Sequence, residues 1–208
     1  MGRSGRQRRL SPTQRLAARR RVRLVRSALV FLLLVTTATS IDALDGPPTY
    51  RPAMNLAPHV ELPAAPEPWS GQGRGCTEPD PAGTDGCVTP AMAWLVDQLT
   101  FTDASLTCWS EHEWNPESDH PHGRGCDLYY GRSGAFADGQ DLIEGWRAAR
   151  WLQVHAEALH VHYIIWQGRI WEADRPEAGW VPYNGAGVYD PGDATGGHFD
   201  HVHVSVRG

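Results

Sequence analysis

The chain contains no lysine, so its 19 basic residues are all arginine. Ten of these arginines lie in the first 26 residues, a stretch without any aspartate or glutamate. Residues 27–208 carry nine arginines against 24 acidic residues, a formal charge of −15. Because nucleic-acid binding depends on cations that neutralise phosphates, a body this acidic excludes a nucleic acid as the partner.

The chain also lacks an apolar run of the length that crosses a membrane. The run at residues 28–35 is short, since a spanning helix needs about 20 residues and the core of a secretory signal about 7 to 15. Together with the preceding arginines it predicts a signal peptide over residues 1–43, with an uncleaved membrane anchor as the alternative. In both cases the rest of the chain is exported, either secreted or associated with the cell wall, and only the N-terminal segment contacts a membrane.

A proline-rich stretch follows the N-terminal segment. Residues 44–75 show no helical or strand period, which predicts an extended linker between the membrane or wall and a folded domain. The domain is predicted over residues 76–208. A chain of 208 residues accommodates one such domain with tails, or two small domains, and excludes a multidomain enzyme.

Cysteine is scarce, with four in the whole chain. An even number in an exported protein predicts two disulfides, for which three pairings are possible. Cys76 and Cys87 bracket a segment rich in proline, glycine and aspartate, which favours their pairing and leaves Cys108 to pair with Cys126. A zinc site built from the four cysteines is disfavoured, because no C-x-x-C pair is present.

The hydrophobic pattern predicts two helices and a small sheet. Thr89 and Pro90 mark the start of a helix of about ten residues, and an apolar stripe predicts a longer helix over residues 141–159. Residues 161–171 predict a β-hairpin. The chain ends on an alternating strand, His201–Val206, so the predicted fold class is α+β, with a small antiparallel sheet packed against helices.

The alternating strand carries chemically capable side chains on one face. His201, His203 and Ser205 point to one side of the strand, and three valines point to the other. A His-x-His pair alone is weak evidence for a metal site. A glycine-containing loop earlier in the chain adds His120 and Asp127, and a His/Asp/His set binds zinc while leaving the fourth tetrahedral position open.

The spacing of these residues resembles that of a known group of enzymes. Ser118, His120, Gly123 and Asp127, followed by the late His-x-His, are similar to the signature of the LAS-type zinc metallopeptidases, which share the hedgehog/D-Ala-D-Ala peptidase fold. The motif fits the branch that contains the M15-like D-Ala-D-Ala peptidases and the hedgehog domain. More narrowly, residues 86–208 resemble an exported actinobacterial family of this fold.

The resemblance implies a role for each residue of the motif. It implies that His120, Asp127 and His203 hold Zn²⁺, and that His201 stabilises the charge developing on the scissile carbonyl. The general base is left open between two residues. His198 matches a histidine variant found in the fold, whereas Asp200 would face away from the metal unless the strand is bulged.

Two further residues are candidates for contacting substrate. Arg124 lies inside the ligand loop, where an arginine either binds a substrate carboxylate or braces the loop. Ser118, at the start of the motif, is the second candidate.

Four other histidines receive less weight. His160 and His162 form a second His-x-His but lack a nearby carboxylate motif, so they are interpreted as structural or surface residues. His112 and His122 remain as alternative ligands.

These observations lead to two functional hypotheses. The first is an exported zinc peptidase, of the D-Ala-D-Ala carboxypeptidase or murein endopeptidase type, that hydrolyses amide bonds in peptidoglycan stem peptides. The second is a catalytically inactive, hedgehog-like, metal-bearing module that binds the cell wall or a protein. Because the body is acidic, amidated or cross-linked substrates, which carry fewer carboxylates, are expected to be preferred.

Overall fold

The computed structural model describes residues 61–208. The predicted signal segment, residues 1–43, and the first part of the predicted linker lie outside the described residues. The described part contains two α-helices and eight β-strands, which confirms the α+β class. In chain order these are β1 (Glu78–Pro79), β2 (Cys87–Val88), α1 (Pro90–Gln98), β3 (Ser105–Thr107), β4 (Gly125–Tyr129), α2 (Gly139–Val154), β5 (Val161–Trp166), β6 (Arg169–Glu172), β7 (Val181–Pro182) and β8 (His201–Val206).

Helix α1 begins where the sequence predicts. The Thr89 hydroxyl accepts a hydrogen bond from the Met92 amide at 3.2 Å, and Pro90 occupies the first helical position, where its missing N–H costs nothing. The helix buries Met92 and Leu95. These contacts attach the segment after the first hairpin to the core.

Helix α2 ends earlier than predicted. It stops at Val154, and His155 caps it, whereas the apolar stripe predicted a helix to residue 159. The chain continues in turns to His160, which has a φ of 59°. Ala156 and Leu159 are buried in these turns. Their spacing matches that of a helical apolar stripe although the helix has already ended, which explains why the predicted helix was too long.

Six strands form one antiparallel sheet in the order β3-β4-β8-β5-β6-β7. The C-terminal strand β8 lies inside the sheet, between β4 and β5. The predicted hairpin is present as β5 and β6. A separate two-stranded sheet joins β1 to β2.

The two faces of the sheet differ in chemistry. Val202, Val204 and Val206 on β8 are fully buried and belong to the apolar core, against which α2 packs. The other face carries His201 and His203. The predicted alternation of β8 is therefore confirmed, and it places the polar residues on the face away from the core.

Both predicted disulfides are present. Cys76 is bonded to Cys87 and closes the β1–β2 hairpin, and Cys108 is bonded to Cys126, which joins the segment after β3 to β4. The four cysteines of the chain are thus all paired. Disulfides favour an oxidising compartment, in agreement with export.

The end of the predicted linker contacts the domain. The Trp69 amide donates to the Ala158 carbonyl at 2.7 Å, and Trp151 Nε1 donates to the Ala64 carbonyl at 3.0 Å. Residues 61–75 therefore lie along the folded unit and are not a free spacer. Within residues 61–208, the helices are too short or too polar to cross a membrane.

Candidate metal centre

Strand pairing brings two of the predicted ligands together. Asp127 lies opposite His203 where β4 pairs with β8, and its Oδ1 is 2.7 Å from His203 Nδ1. The expectation that Asp127 lies in a loop is wrong, because β4 begins at Gly125 and includes it. Two adjacent strands of one sheet therefore hold both side chains.

The third predicted ligand, His120, lies in the turn before β4. Its Nδ1 donates to the Cys108 carbonyl at 2.9 Å, and its Nε2 is 3.3 Å from Asp127 Oδ1. Gly123 in this turn has a φ of 66°, and a Cβ there would lie 2.7 Å from the Cys87 carbonyl oxygen. Glycine at this position allows the close packing that presents His120 to the sheet.

His120, Asp127 and His203 form a buried donor set. One ligand atom from each lies within 4.8 Å of the others. Two imidazole nitrogens and one carboxylate oxygen are a ligand set that zinc accepts, and three protein ligands leave one position open. The described residues can therefore hold a metal ion here.

The protonation of the set also fits a cation. The Cys108 carbonyl can only accept, so His120 Nδ1 carries a proton and Nε2 is the nitrogen that faces Asp127 and can bind a metal ion. Burial alone would raise the pKa of Asp127, but the neighbouring His201 and His120 lower it well below its usual value. A buried, ionised carboxylate needs positive charge beside it, which either these histidines or a metal ion can supply.

His201 lies beside the donor set and is held by Asp200. Its Nδ1 donates to Asp200 Oδ1 at 2.6 Å, and its Nε2 is 3.6 Å from Asp127 Oδ1. Asp200 also accepts from the Gly134 amide and the Thr195 hydroxyl. Both carboxylate oxygens of Asp200 therefore have partners, and one of them holds the ring of His201.

His198 is a buried histidine beside the donor set. The residue is buried, has a φ of 56°, and its ring centroid is 4.6 Å from that of His201 and 5.6 Å from that of His203. Its Nδ1 has no hydrogen-bond partner among residues 61–208. Burial, with the neighbouring His201 and His203, lowers the pKa of His198 well below its usual value, so the ring is neutral near pH 7.

A cleft of about 250 Å³ opens over the donor set. Ser118, His198 and His201 are among the residues that line it. The lining residues are His112, Asn115, Glu117, Ser118, His120, Asp127, Tyr163, Ile165, Tyr183, Ala186, Val188, Tyr189, Thr195, His198, His201 and His203.

Of the two roles considered for Arg124, the structure supports bracing of the loop. Its guanidinium forms an ion pair with Asp119 at 2.7 Å, and it is not among the residues that line the cleft. The structure therefore does not support Arg124 as a ligand for a substrate carboxylate.

The remaining histidines lie outside the donor set. The ring of His112 stacks on that of His120 at 4.9 Å, so His112 lines the cleft beside a ligand. His122 is exposed, and its Nε2 donates to a carbonyl at 3.3 Å. His160 and His162 do not line the cleft, which agrees with their interpretation as structural or surface residues.

Sequence reasoning missed two residues that support the centre. The Tyr163 hydroxyl donates to Asp119 Oδ2 at 2.9 Å, and the Tyr163 ring stacks on that of His203 at 5.5 Å. Tyr163 lies opposite Ser205 in the β5–β8 register. Asp119 adjoins His120 in the motif, but the strand pairing that gives it partners is not visible in the local sequence.

Comparison with known protein families identifies the family of this chain. The family model described as VldE, C-terminal domain, matches residues 84–199, more than half of the chain. The chain belongs to this family. The matched segment includes His120, Asp127 and His198 and ends two residues before His201. No curated protein and no solved structure matched the chain.

Proposed function

We propose that this member of the VldE C-terminal domain family is an exported zinc metallopeptidase of the hedgehog/D-Ala-D-Ala peptidase fold, which hydrolyses amide bonds in peptidoglycan stem peptides. One observation carries the proposal. His120, Asp127 and His203 converge at an open cleft. Beside them lies the buried His198, whose Nδ1 has no hydrogen-bond partner in the part of the chain that the structure describes. Metal ligands plus a free base are the parts that amide hydrolysis requires.

His120, Asp127 and His203 would hold Zn²⁺, which would act as a Lewis acid toward the scissile carbonyl and lower the pKa of water toward about 7. His198 takes the proton of the attacking water and passes it to the leaving amine. A neutral imidazole suits this role.

His201 stabilises the negative charge that develops on the carbonyl oxygen. Its Nδ1 is bound to Asp200, which leaves Nε2 directed toward the donor set. Burial would lower the pKa of His201, but Asp127 and Asp200 raise it. The protonated ring is thus favoured, and it donates a hydrogen bond at the position where charge accumulates.

Apart from the zinc ion and His201, the charges at the cleft are negative, which favours a substrate without a free carboxylate near the bond that is cleaved. Glu117 and Asp127 line the cleft. The eight arginines of residues 61–208 do not line it; they are Arg74, Arg124, Arg132, Arg147, Arg150, Arg169, Arg175 and Arg207. An internal or amidated stem peptide meets less repulsion here than a peptide with a terminal carboxylate.

Synthetic stem peptides test the proposal. The zinc-loaded protein is incubated with amidated, non-amidated and cross-linked peptides, with and without a chelator. We expect chelator-sensitive cleavage that is faster for the amidated and cross-linked forms. Full zinc occupancy without cleavage of any of them would favour the alternative, an inactive metal-bearing binding module.

A further inference from the structure

A buried line of hydrogen bonds lies behind one metal ligand. Arg124 Nη2 is 2.7 Å from Asp119 Oδ1, the Ser205 hydroxyl is 2.7 Å from Asp119 Oδ2, and His203 Nε2 is 3.1 Å from Ser205 Oγ. Asp119 is 8% exposed and Ser205 is fully buried. The line thus runs from a surface guanidinium to the ring of His203.

The donors and acceptors in this line have a fixed direction. A guanidinium only donates and a carboxylate only accepts, so the single proton of the Ser205 hydroxyl is given to Asp119. Ser205 Oγ must then accept from His203 Nε2, which carries the ring proton. Asp127 Oδ1 also only accepts, so its 2.7 Å contact with His203 Nδ1 needs a proton on Nδ1 until a metal ion replaces that proton. Nε2 then keeps the single proton of the ring for Ser205.

We propose that Asp119 is a positioning residue that sets the tautomer of His203 through Ser205, and thereby the affinity of the centre for zinc. The proposal depends on the metal centre and not on peptidase activity. Partners that fix the orientation and tautomer of a ligating histidine commonly change metal affinity by about 10- to 100-fold when replaced.

The Asp119→Asn variant reverses the direction of the hydrogen bonds from residue 119 to His203. Arg124 can only donate, so it donates to the amide oxygen of the new asparagine, and the amide NH₂ then faces Ser205 and Tyr163. Ser205 accepts from that NH₂ and turns its own proton toward His203 Nε2. The ring proton moves to Nδ1, the nitrogen that zinc needs.

Tyr163→Phe is the matched control. It removes the second donor to Asp119 Oδ2 and leaves the bond between Ser205 and Asp119 intact, together with the ring that stacks on His203. A merely structural role for Asp119 predicts similar losses for the two variants.

Competition with a chromophoric chelator measures zinc affinity without any substrate. We expect Asp119→Asn and Ser205→Ala to weaken zinc binding by about 10- to 100-fold, and Tyr163→Phe to weaken it far less. Equal affinity of Asp119→Asn and the wild type, or equal losses in Asp119→Asn and Tyr163→Phe, would overturn the proposal.

Nitrogen NMR of the zinc-loaded wild type tests the tautomer without a variant, so the proposal stays testable if a variant fails to fold. We expect the proton of His203 on Nε2. A proton on Nδ1, or a wild-type protein that binds no zinc, would contradict the assignment. Zinc binding with the expected tautomer but without peptide cleavage would count against the proposed function alone.

Discussion

Two of the His-x-His sequences in the chain have opposite surroundings. His201 and His203 on β8 are buried beside Asp127. His162 on β5 is half exposed and lies 3.7 Å from Asp174, which is also exposed, while His160 precedes β5. The same spacing therefore gives a candidate metal centre at one place and a surface contact between a histidine and a carboxylate at the other.

The neighbouring strand accounts for the difference. β4 places a carboxylate opposite His203, whereas the register beside His162 is interrupted between Val161 and Tyr163. Burial adds to the contrast, because charges and dipoles interact more strongly where water is excluded. A His-x-His pair thus becomes a candidate centre through its partners across the sheet and not through its own sequence.

Replacing one histidine from each pair tests this contrast with the largest effect. We expect His203→Ala to lose its zinc, because one of three protein ligands is removed, and His162→Ala to retain the zinc content of the wild type. Elemental analysis of the purified proteins measures both. Full zinc in a His120→Ala and His203→Ala double variant would place the metal elsewhere.

Removing the base should separate catalysis from metal binding. His198→Gln is expected to keep its zinc and to lose hydrolysis by about 10²- to 10⁴-fold, the usual contribution of general acid–base catalysis. Peptide release and zinc content are measured on the same sample. Unchanged hydrolysis would exclude His198 as the base.

The two disulfides should differ in their effect on the centre. Replacing either pair by alanine should lower the free energy of unfolding by roughly 3 kcal/mol, since the closed loops are of similar length. Loss of the Cys108–Cys126 bond should also weaken zinc binding, because the Cys108 carbonyl accepts from His120. Thermal unfolding and chelator competition report the two effects, and equal zinc affinity of both variants would refute the coupling.

Replacing the carboxylates beside the two histidine pairs should have a smaller effect. Asp200→Asn should reduce hydrolysis by about 10- to 100-fold, because the partner that orients His201 is changed. Asp174→Asn, next to His162, should have no effect on hydrolysis. Steady-state kinetics with a stem peptide decides between them, and similar rates for the two variants would mean that the bond to His201 is unimportant.

Local sequence patterns predicted the helices and strands that have a cap, an alternation or a turn signal in their own sequence. The cap at Thr89, the alternation of β8 and the β5–β6 hairpin are confirmed. Strand β4 was missed because its sequence, Gly125–Tyr129, follows a glycine-containing loop and is recognised as a strand only through its pairing with β3 and β8.

The residues of the candidate site that belong to the sequence motif could be predicted. His120, Asp127 and His203 were named from the spacing and the resemblance, and they converge in the structure. Asp119 and Tyr163 were not predicted, because their contacts with Ser205 and with each other depend on the register of three strands. Arg124 was ambiguous until its ion pair with Asp119 was seen.

Digestion of purified peptidoglycan tests the central claim most directly. Sacculi are incubated with the zinc-loaded protein, with the His198→Gln variant, and with the wild type plus a chelator, and the released fragments are identified by mass spectrometry. The account predicts fragments cut at amide bonds of the stem peptides with the zinc-loaded wild type alone. The same fragments from all three samples, or none from the zinc-loaded wild type, would contradict it.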